Sequence, residues 1–348
     1  MALKTLRSIK YSVPERLLFS CIHQNSKETN IITNHLHIRP WKVMFFGTDD
    51  FSLGSLTKLN EAFSSGTVIS RLEVVSSKYR LNPVRLFCQE KNLVAHEWPV
   101  DLRALNDFDI GLVASFGHLI PKSVIDAFPL GILNVHGSLL PRWRGAAPVN
   151  YAVMHGDSVT GISIMRIQPH EFDKGEVLKQ REVEIAPNET AVNLRKRMSD
   201  IGGDVLLSCI QRLPQCLEDA RPQPKEGVTY APKLTDDSGI VSFKTMTAQC
   251  IFNHFRALHT IVPLVATWME MKINLLDVSV DDASSGTRTV LEGQVRYDKR
   301  GRHLVVTCSQ NTHLIIKRLA PFKRKPMTAL EFYNGYLTKK NKSLWTFR

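Results

Sequence analysis

An open α/β layer followed by a small β-barrel is the architecture predicted by this 348-residue chain. Three observations carry it. From Trp41 onward, short apolar strands alternate with helical stretches; a proline-bearing polar stretch breaks that texture at 217–239; beyond it lie several short strands separated by turn residues. The first part reads as a doubly wound, Rossmann-like parallel sheet over 41–214, the last as an OB-like barrel over 240–348, and 215–239 as the linker between them.

Residues 1–38 read as an address. Lys4, Arg7, Lys10 and Arg16 interleave with Leu3, Leu6, Ile9, Leu17, Leu18 and Phe19, among several serines and few acids. That is the pattern of a mitochondrial transit peptide, without the unbroken apolar run of a secretory signal. The strand at 42–47 is apolar and ends in glycine, and a helix is predicted over 51–63. Further strands fall at 72–75, 110–114, 132–136 and 162–167, with helical stretches at 84–93, 122–128 and 147–155. Leu194, Met198, Ile201 and Val205 share one face of a longer helix, capped by Asn188 or Thr190, and the domain closes near Pro214. Past the linker, Ile251, Phe255 and Leu258 mark a helix, followed by strands at 266–269, 273–280, 293–297, 303–308 and 313–319.

The net charge of +12 is uneven: +4 over 1–40, +10 over 241–348 and −2 between. A barrel this basic suits an RNA backbone better than a small acceptor. No run approaches the roughly 18 apolar residues of a membrane span, so no membrane partner is expected. The six cysteines form no C-x-x-C pair or metal-ligand spacing, which reads as reduced, buried thiols in an intracellular or organellar compartment. No G-x-G-x-x-G follows a predicted strand and no G-K-[ST] occurs, which ranks a nucleotide-dependent oxidoreductase low.

The candidate chemistry sits where the strand at 132–136 breaks. Alternation puts Asn134 and His136 on one face, with Leu133 and Val135 on the other. An amide donor beside an imidazole at a strand's carboxyl end is what acyl-type transfer needs. Taken singly, such residues are commonly core or loop groups satisfied by the backbone. Asp173, in the polar turn after the strand at 162–167, would complete a trio if the two strands are neighbours whose carboxyl ends open into one cleft. Arg142, Trp143 and Arg144 read equally as a loop held by ordinary salt bridges or as two guanidiniums flanking an indole, suited to an RNA end.

The string N-V-H-G-S-L-L-P-R-W-R-G-A-A-P, with H-G-D at 155–157, T-G-I-S-I-M at 160–165 and F-D-K-G at 172–175, resembles the folate-dependent formyltransferases, and among them the branch that acts on methionyl-tRNA. The likeness extends to F-F-G-T at 45–48, V-A-S-F-G at 113–117, T-Y-A-P-K-L at 229–234 and K-P-M-T-A-L-E-F-Y-N-G at 325–335. It implies that Asn134, His136 and Asp173 are catalytic and that Ser138, Leu139, Leu140 and Pro141 lie against the folate. It further implies 10-formyltetrahydrofolate as donor, initiator methionyl-tRNA as acceptor, no metal or redox cofactor, and a monomer in the mitochondrial matrix. RNA contacts are expected from Arg142 and Arg144, from Lys323, Arg324 and Lys325, and from Lys78 and Arg80, which stand where bacterial members carry a long basic insertion. Where the family usually has Gly-Thr-Pro-x-Phe this chain has Gly47-Thr48-Asp49-Asp50-Phe51, a change expected to affect the turn's rigidity more than the chemistry.

Within that chemistry the competitors are glycinamide ribonucleotide and sugar-nucleotide formyltransferases and a formyltetrahydrofolate hydrolase. Outside it, the chain would be an RNA-binding module whose α/β part is scaffold.

Overall fold

The computed structural model describes residues 40–77, 82–281 and 291–348; the predicted address at 1–38, and Lys78 and Arg80, lie outside the described residues. Strands β1 (Trp41–Gly47), β2 (Ile69–Ser77), β3 (Val94–Trp98), β4 (Ile110–Ala114), β5 (Ile132–His136), β6 (Val159–Arg166) and β7 (Val177–Glu184) form one sheet in the order β3-β2-β1-β4-β5-β6-β7. The first five are mutually parallel, with helices α1 (Asp50–Ser65), α2 (Pro83–Lys91) and α3 (Lys122–Ile125) in the crossovers.

β6 runs antiparallel to β5 and β7 antiparallel to β6, so β6 alone is reversed, which corrects the expectation of a parallel sheet. The helix between β5 and β6 is α4 (Pro148–Met154), of 7 residues, and the chain re-enters the sheet from the end it left.

Alternation along the strands divides the core between the two faces. Val43, Phe45, Leu112, Leu133 and Val135 pack on the side of α1 and the long helix α5 (Ala191–Ile210); Met44, Phe46, Val113 and Ile132 pack on the other, with Phe108, Phe116 and Phe128. Of the two N-cap candidates for α5, the cap is Thr190, whose hydroxyl accepts the Asn193 N–H at 3.3 Å.

The segment expected as a bare linker is threaded along the first domain. It holds the short helix α6 (Gln215–Glu218), pairs Arg221 with Val177 through bonds of 2.8 and 2.9 Å, and exchanges bonds of 2.7 and 2.9 Å with Arg144 through Ala231 and Thr229. Helix α7 (Ala248–Leu258) then joins the second domain to the first: the Asn150 amide donates to the Ala257 carbonyl at 2.8 Å and the Arg256 guanidinium to that of Glu189 at 2.9 Å.

In the second domain β8 (Leu264–Trp268), β9 (Met271–Val280), β10 (Val295–Asp298), β11 (His303–Thr307) and β12 (His313–Pro321) form an antiparallel sheet in the order β10-β11-β12-β9-β8, and β13 (Met327–Thr328) pairs with β12 ahead of α8 (Ala329–Phe332). The last residues close it into a barrel. Thr346 bridges Gln294 beside β10 and Phe347 bridges Trp268 of β8. Closure leaves neither sheet edge bare.

Candidate active site

At the carboxyl ends of β1, β4 and β5 the first sheet opens into a cavity of about 780 Å³. It lies where the strand order reverses between β1 and β4, the crevice in which open α/β sheets collect ligands. Asn134 and His136 continue the row begun by Ile132; past the aromatic layer that seals Ile132, they line the cavity.

His136 is only 5% exposed and uses both ring nitrogens. Nε2 lies 2.9 Å from the Trp143 carbonyl. A carbonyl can only accept, so Nε2 carries hydrogen and Nδ1 is the nitrogen able to exchange a proton. Nδ1 stands 3.5 Å from Asp173 Oδ1. The other Asp173 oxygen accepts the Gly145 N–H at 2.9 Å. Gly145 has φ +129, and a Cβ there would come within 2.5 Å of the Ala231 carbonyl oxygen, so the position needs glycine. The Asn134 amide has no hydrogen-bond partner among the described residues and faces the cavity.

Asp173 arrives by a different route from the expected one. Because β6 is antiparallel, its carboxyl end lies beside Ile132, where the Ile167 N–H donates to the Ile132 carbonyl at 2.8 Å, at the far end of β5 from His136. The loop that follows doubles back along β5, with His170 at φ 62 and Asp173 at φ 53. Aspartate tolerates this left-handed conformation better than most residues. Gly175 closes the loop: a Cβ there would meet the Arg166 carbonyl oxygen at 1.8 Å.

Ser138, Leu139, Leu140 and Pro141 do not line the cavity; they form the turn that follows β5. Ser138 is fully buried with its hydroxyl on the Arg142 carbonyl at 2.6 Å, and Leu140 is held by Ser163 and Gln180. Arg142 does not line the cavity either. Its guanidinium grips both Asp157 oxygens at 2.9 and 2.6 Å, hydrogen bonds that raise its pKa further, and stacks 4.3 Å over the Trp143 ring. Trp143 donates its indole N–H to the same Asp157 at 2.8 Å and is buried against Tyr151 and His155. The indole therefore has no free face for a base, and of the two readings of Arg142 the salt-bridged loop is the one found. Arg144 does line the cavity. Lys323, Arg324 and Lys325 occupy the exposed turn between β12 and β13, outside it.

Several residues at the site carried no signal of their own in the sequence. Arg195, on the cavity side of α5, is held by the Asp49 carboxylate, which also caps α1 and accepts the Ser115 hydroxyl at 2.6 Å. Asp49 thus anchors the turn in which the family's proline is missing. Lys174 and Lys233 add charge at the cavity, and Phe172 and Tyr230, 64% and 63% exposed, flank it with aromatic surface. Tyr230 and Lys233 fall within the T-Y-A-P-K-L string, so the likeness singled them out without saying why. The opposite wall, of Val113, Phe116, Ile120, Met165 and Ile167, is apolar.

Known proteins match this chain in sequence and in fold. Residues 66–210 match the family model described as formyl transferase, and residues 233–337 match that of the formyl transferase C-terminal domain. The mitochondrial methionyl-tRNA formyltransferase of Homo sapiens is 40% identical over 310 residues, covering 86% of this chain and 78% of that protein. That of Bos taurus is 39% identical over 309 residues at the same coverage. The methionyl-tRNA formyltransferase of Paramagnetospirillum magneticum is 34% identical, covering 86% and 98%. Among solved structures, a sugar 3N-formyl transferase crystallised with dTDP and 5-N-formyl-THF superposes with a TM-score of 0.60 at 15% identity, over 83% of this chain and all of that one. An N-formyltransferase from Helicobacter canadensis, in complex with folinic acid and dTDP-3-aminofucose, does so at 0.61 and 14%, over 79% and 98%. At such identities the superpositions speak for the fold, whereas the sequence matches reach the family. With both family models matched in order and relatives near 40% identity along most of its length, the chain belongs to the formyl transferase family, in the branch of the methionyl-tRNA formyltransferases.

Proposed function

We propose that this protein transfers the formyl group of 10-formyltetrahydrofolate to the α-amino group of methionyl-initiator-tRNA in the mitochondrial matrix. The observation that carries the reading is the convergence of Asn134, His136 and Asp173 on one cavity. The amine lone pair attacks the formyl carbon and the carbonyl π electrons move onto oxygen. The Asn134 amide, unpaired among the described residues, donates to that oxyanion. One such donor is typically worth about 3 to 4 kcal/mol in the transition state. The proton lost by the amine passes to Asp173 Oδ1 or His136 Nδ1, which stand 3.5 Å apart. It is delivered to the folate N10 as the C–N10 bond breaks, leaving tetrahydrofolate and formylmethionyl-tRNA.

The apolar wall suits a flat pterin, and a volume of about 780 Å³ is in the range of pockets for ligands of that size. On the strength of the resemblance, the turn from Ser138 to Pro141 belongs to the folate's surroundings. The cavity's margin carries Arg144, Lys174, Arg195 and Lys233 beside Phe172 and Tyr230, which is cation and aromatic surface of the kind that holds an RNA end. The turn at Lys323, Arg324 and Lys325 adds phosphate contacts farther out, and Lys78 and Arg80 join them on the strength of the resemblance alone.

The test is formyl transfer by the full chain to charged initiator tRNA and, in parallel, to glycinamide ribonucleotide. Preference for the nucleotide, or formyltetrahydrofolate hydrolysis without transfer, would overturn the reading. Matrix residence is checked by protease protection in fractionated mitochondria.

A further inference from the structure

One side chain from the connecting segment ties the main chain of the Asp173 loop to the Arg144 guanidinium, beside the bond that the Asp173 carboxylate accepts from the Gly145 N–H. The Gln223 amide donates one N–H to the Asp173 carbonyl and the other to the Gly175 carbonyl, each at 2.8 Å. Its oxygen accepts from Arg144 Nε at 3.0 Å and Nη2 at 2.7 Å. Both amide hydrogens and the oxygen are therefore spent, on three backbone or guanidinium partners that converge from different loops.

The loop so held is not one that would stay in place unaided. It doubles back from β6, carries left-handed residues at His170 and Asp173, and has Lys174 and Glu171 paired to each other at 3.2 Å in solvent. Apart from Gln223, Asp173 is fixed by the Gly145 N–H and by a 3.5 Å approach to His136. Gln223 bonds the main chain of Asp173 itself, so it sets where the carboxylate begins. It sits two residues past Arg221, whose backbone pairs with Val177 at the start of β7 and so anchors the segment to the same sheet.

We infer that Gln223 is a positioning residue for the formyl transfer: the connecting segment holds the Asp173 loop in register with Arg144, so that one side-chain amide ties the main chain of the proton acceptor to the cationic wall. This rests on the function proposed above only for its turnover readout. The main chain bonds are a claim about the resting protein.

The experiment uses the full chain with Gln223→Ala and Gln223→Glu, each also combined with Asp173→Asn. A glutamate keeps the acceptor for Arg144 but sets a carboxylate against two carbonyls, so it separates the two halves of the clamp. Gln223→Ala is expected to lower kcat on the order of 10- to 100-fold, as a small misplacement of a catalytic group does, and to raise KM for charged tRNA by less than about tenfold through the released Arg144. Gln223→Glu should be no better than alanine. In the Asp173→Asn background, loss of Gln223 should cost less than about twofold more, because a residue acting through Asp173 has little left to act on. Hydrogen exchange over 168–176 is the readout that needs no turnover: it should speed at least tenfold in both single variants.

Unchanged exchange in Gln223→Ala would overturn the inference, as would Gln223→Glu with wild-type kcat or full additivity with Asp173→Asn. Should the wild-type chain fail to formylate tRNA while the exchange behaves as expected, the clamp stands and the function reading falls.

Discussion

Replacing Asp173 by asparagine removes a charge while sparing the geometry. Asparagine matches the shape, can still accept the Gly145 N–H now bonded at 2.9 Å, and tolerates φ 53 as well as aspartate does. What is lost is the carboxylate 3.5 Å from His136 Nδ1. For unit charges at that separation, with the effective dielectric of about 20 that suits protein sites, the interaction is about 5 kcal/mol. The aspartate side chain is 15% exposed and partly screened by solvent, so about 3 to 5 kcal/mol of transition-state stabilisation is at stake. That corresponds to a fall in kcat of about 10²- to 10⁴-fold. The assay is single-turnover formylation of charged initiator tRNA at saturating 10-formyltetrahydrofolate, with thermal unfolding of both proteins alongside. A rate within threefold of wild type would refute the role given to the carboxylate; a large loss accompanied by collapse of the folded state would refute the claim that the geometry is spared.

Three further outcomes follow from the same contacts. Arg142→Ala should lower stability by about 1 kcal/mol, through a half-buried ion pair and a ring contact, and leave KM for tRNA within about twofold; unaltered stability with a tenfold rise in KM would make it an RNA contact after all. Changing Lys323, Arg324 and Lys325 together to alanine should flatten the slope of log affinity against log salt by about 2 to 3, the share of three phosphates, and leave single-turnover rates with bound tRNA unchanged; an unaltered slope in a filter-binding titration removes the turn from the RNA footprint. Phe347→Ala deletes a side chain stacked on Phe243 and Phe332 at the seam of the barrel, so urea unfolding should show a loss of about 3 to 5 kcal/mol, and a loss below 1 kcal/mol would mean that the terminal residues do not hold the barrel shut.

The site was legible in proportion to how local its causes are. Asn134 and His136 could be placed on one face because a strand's period of two acts within three residues. The direction of β6 was not legible, because the periodicity that reveals a strand says nothing of which way it runs, and the helix before it is longer than the one before the parallel β5. Edge strands β3 and β7 escaped notice because each has one neighbour and solvent beside it; Lys179, Gln180, Arg181 and Glu182 in the middle of β7 show none of the apolar pattern that burial imposes. The fate of Arg142 and Trp143 depends on Asp157, 14 and 15 residues on, and nothing in Arg-Trp-Arg itself distinguishes a held guanidinium from a free one. Barrel closure depends on pairing across some fifty residues and more, which leaves only Trp345 and Phe347 in a charged tail as its trace.

The reversal of β6 has a consequence for how the trio works. Had the sheet stayed parallel, Asp173 would have come from a strand end next to His136, positioned by the ladder itself. Instead the loop must return the length of β5, and what a ladder would have done is divided among separate devices: two left-handed residues, each costing about 1 to 2 kcal/mol of conformational energy, a glycine at 175 that alone fits beneath the Arg166 carbonyl, the Gly145 amide on the carboxylate and the Gln223 amide on the main chain. Two of these depend on the segment between the domains, since the Ala231 oxygen dictates glycine at 145 and Gln223 belongs to that segment. Asn134 and His136 are held by the sheet regardless of what the second domain does. Asp173 is held only as well as the connecting segment is seated, so disturbing that segment should slow proton transfer before it loosens the oxyanion contact.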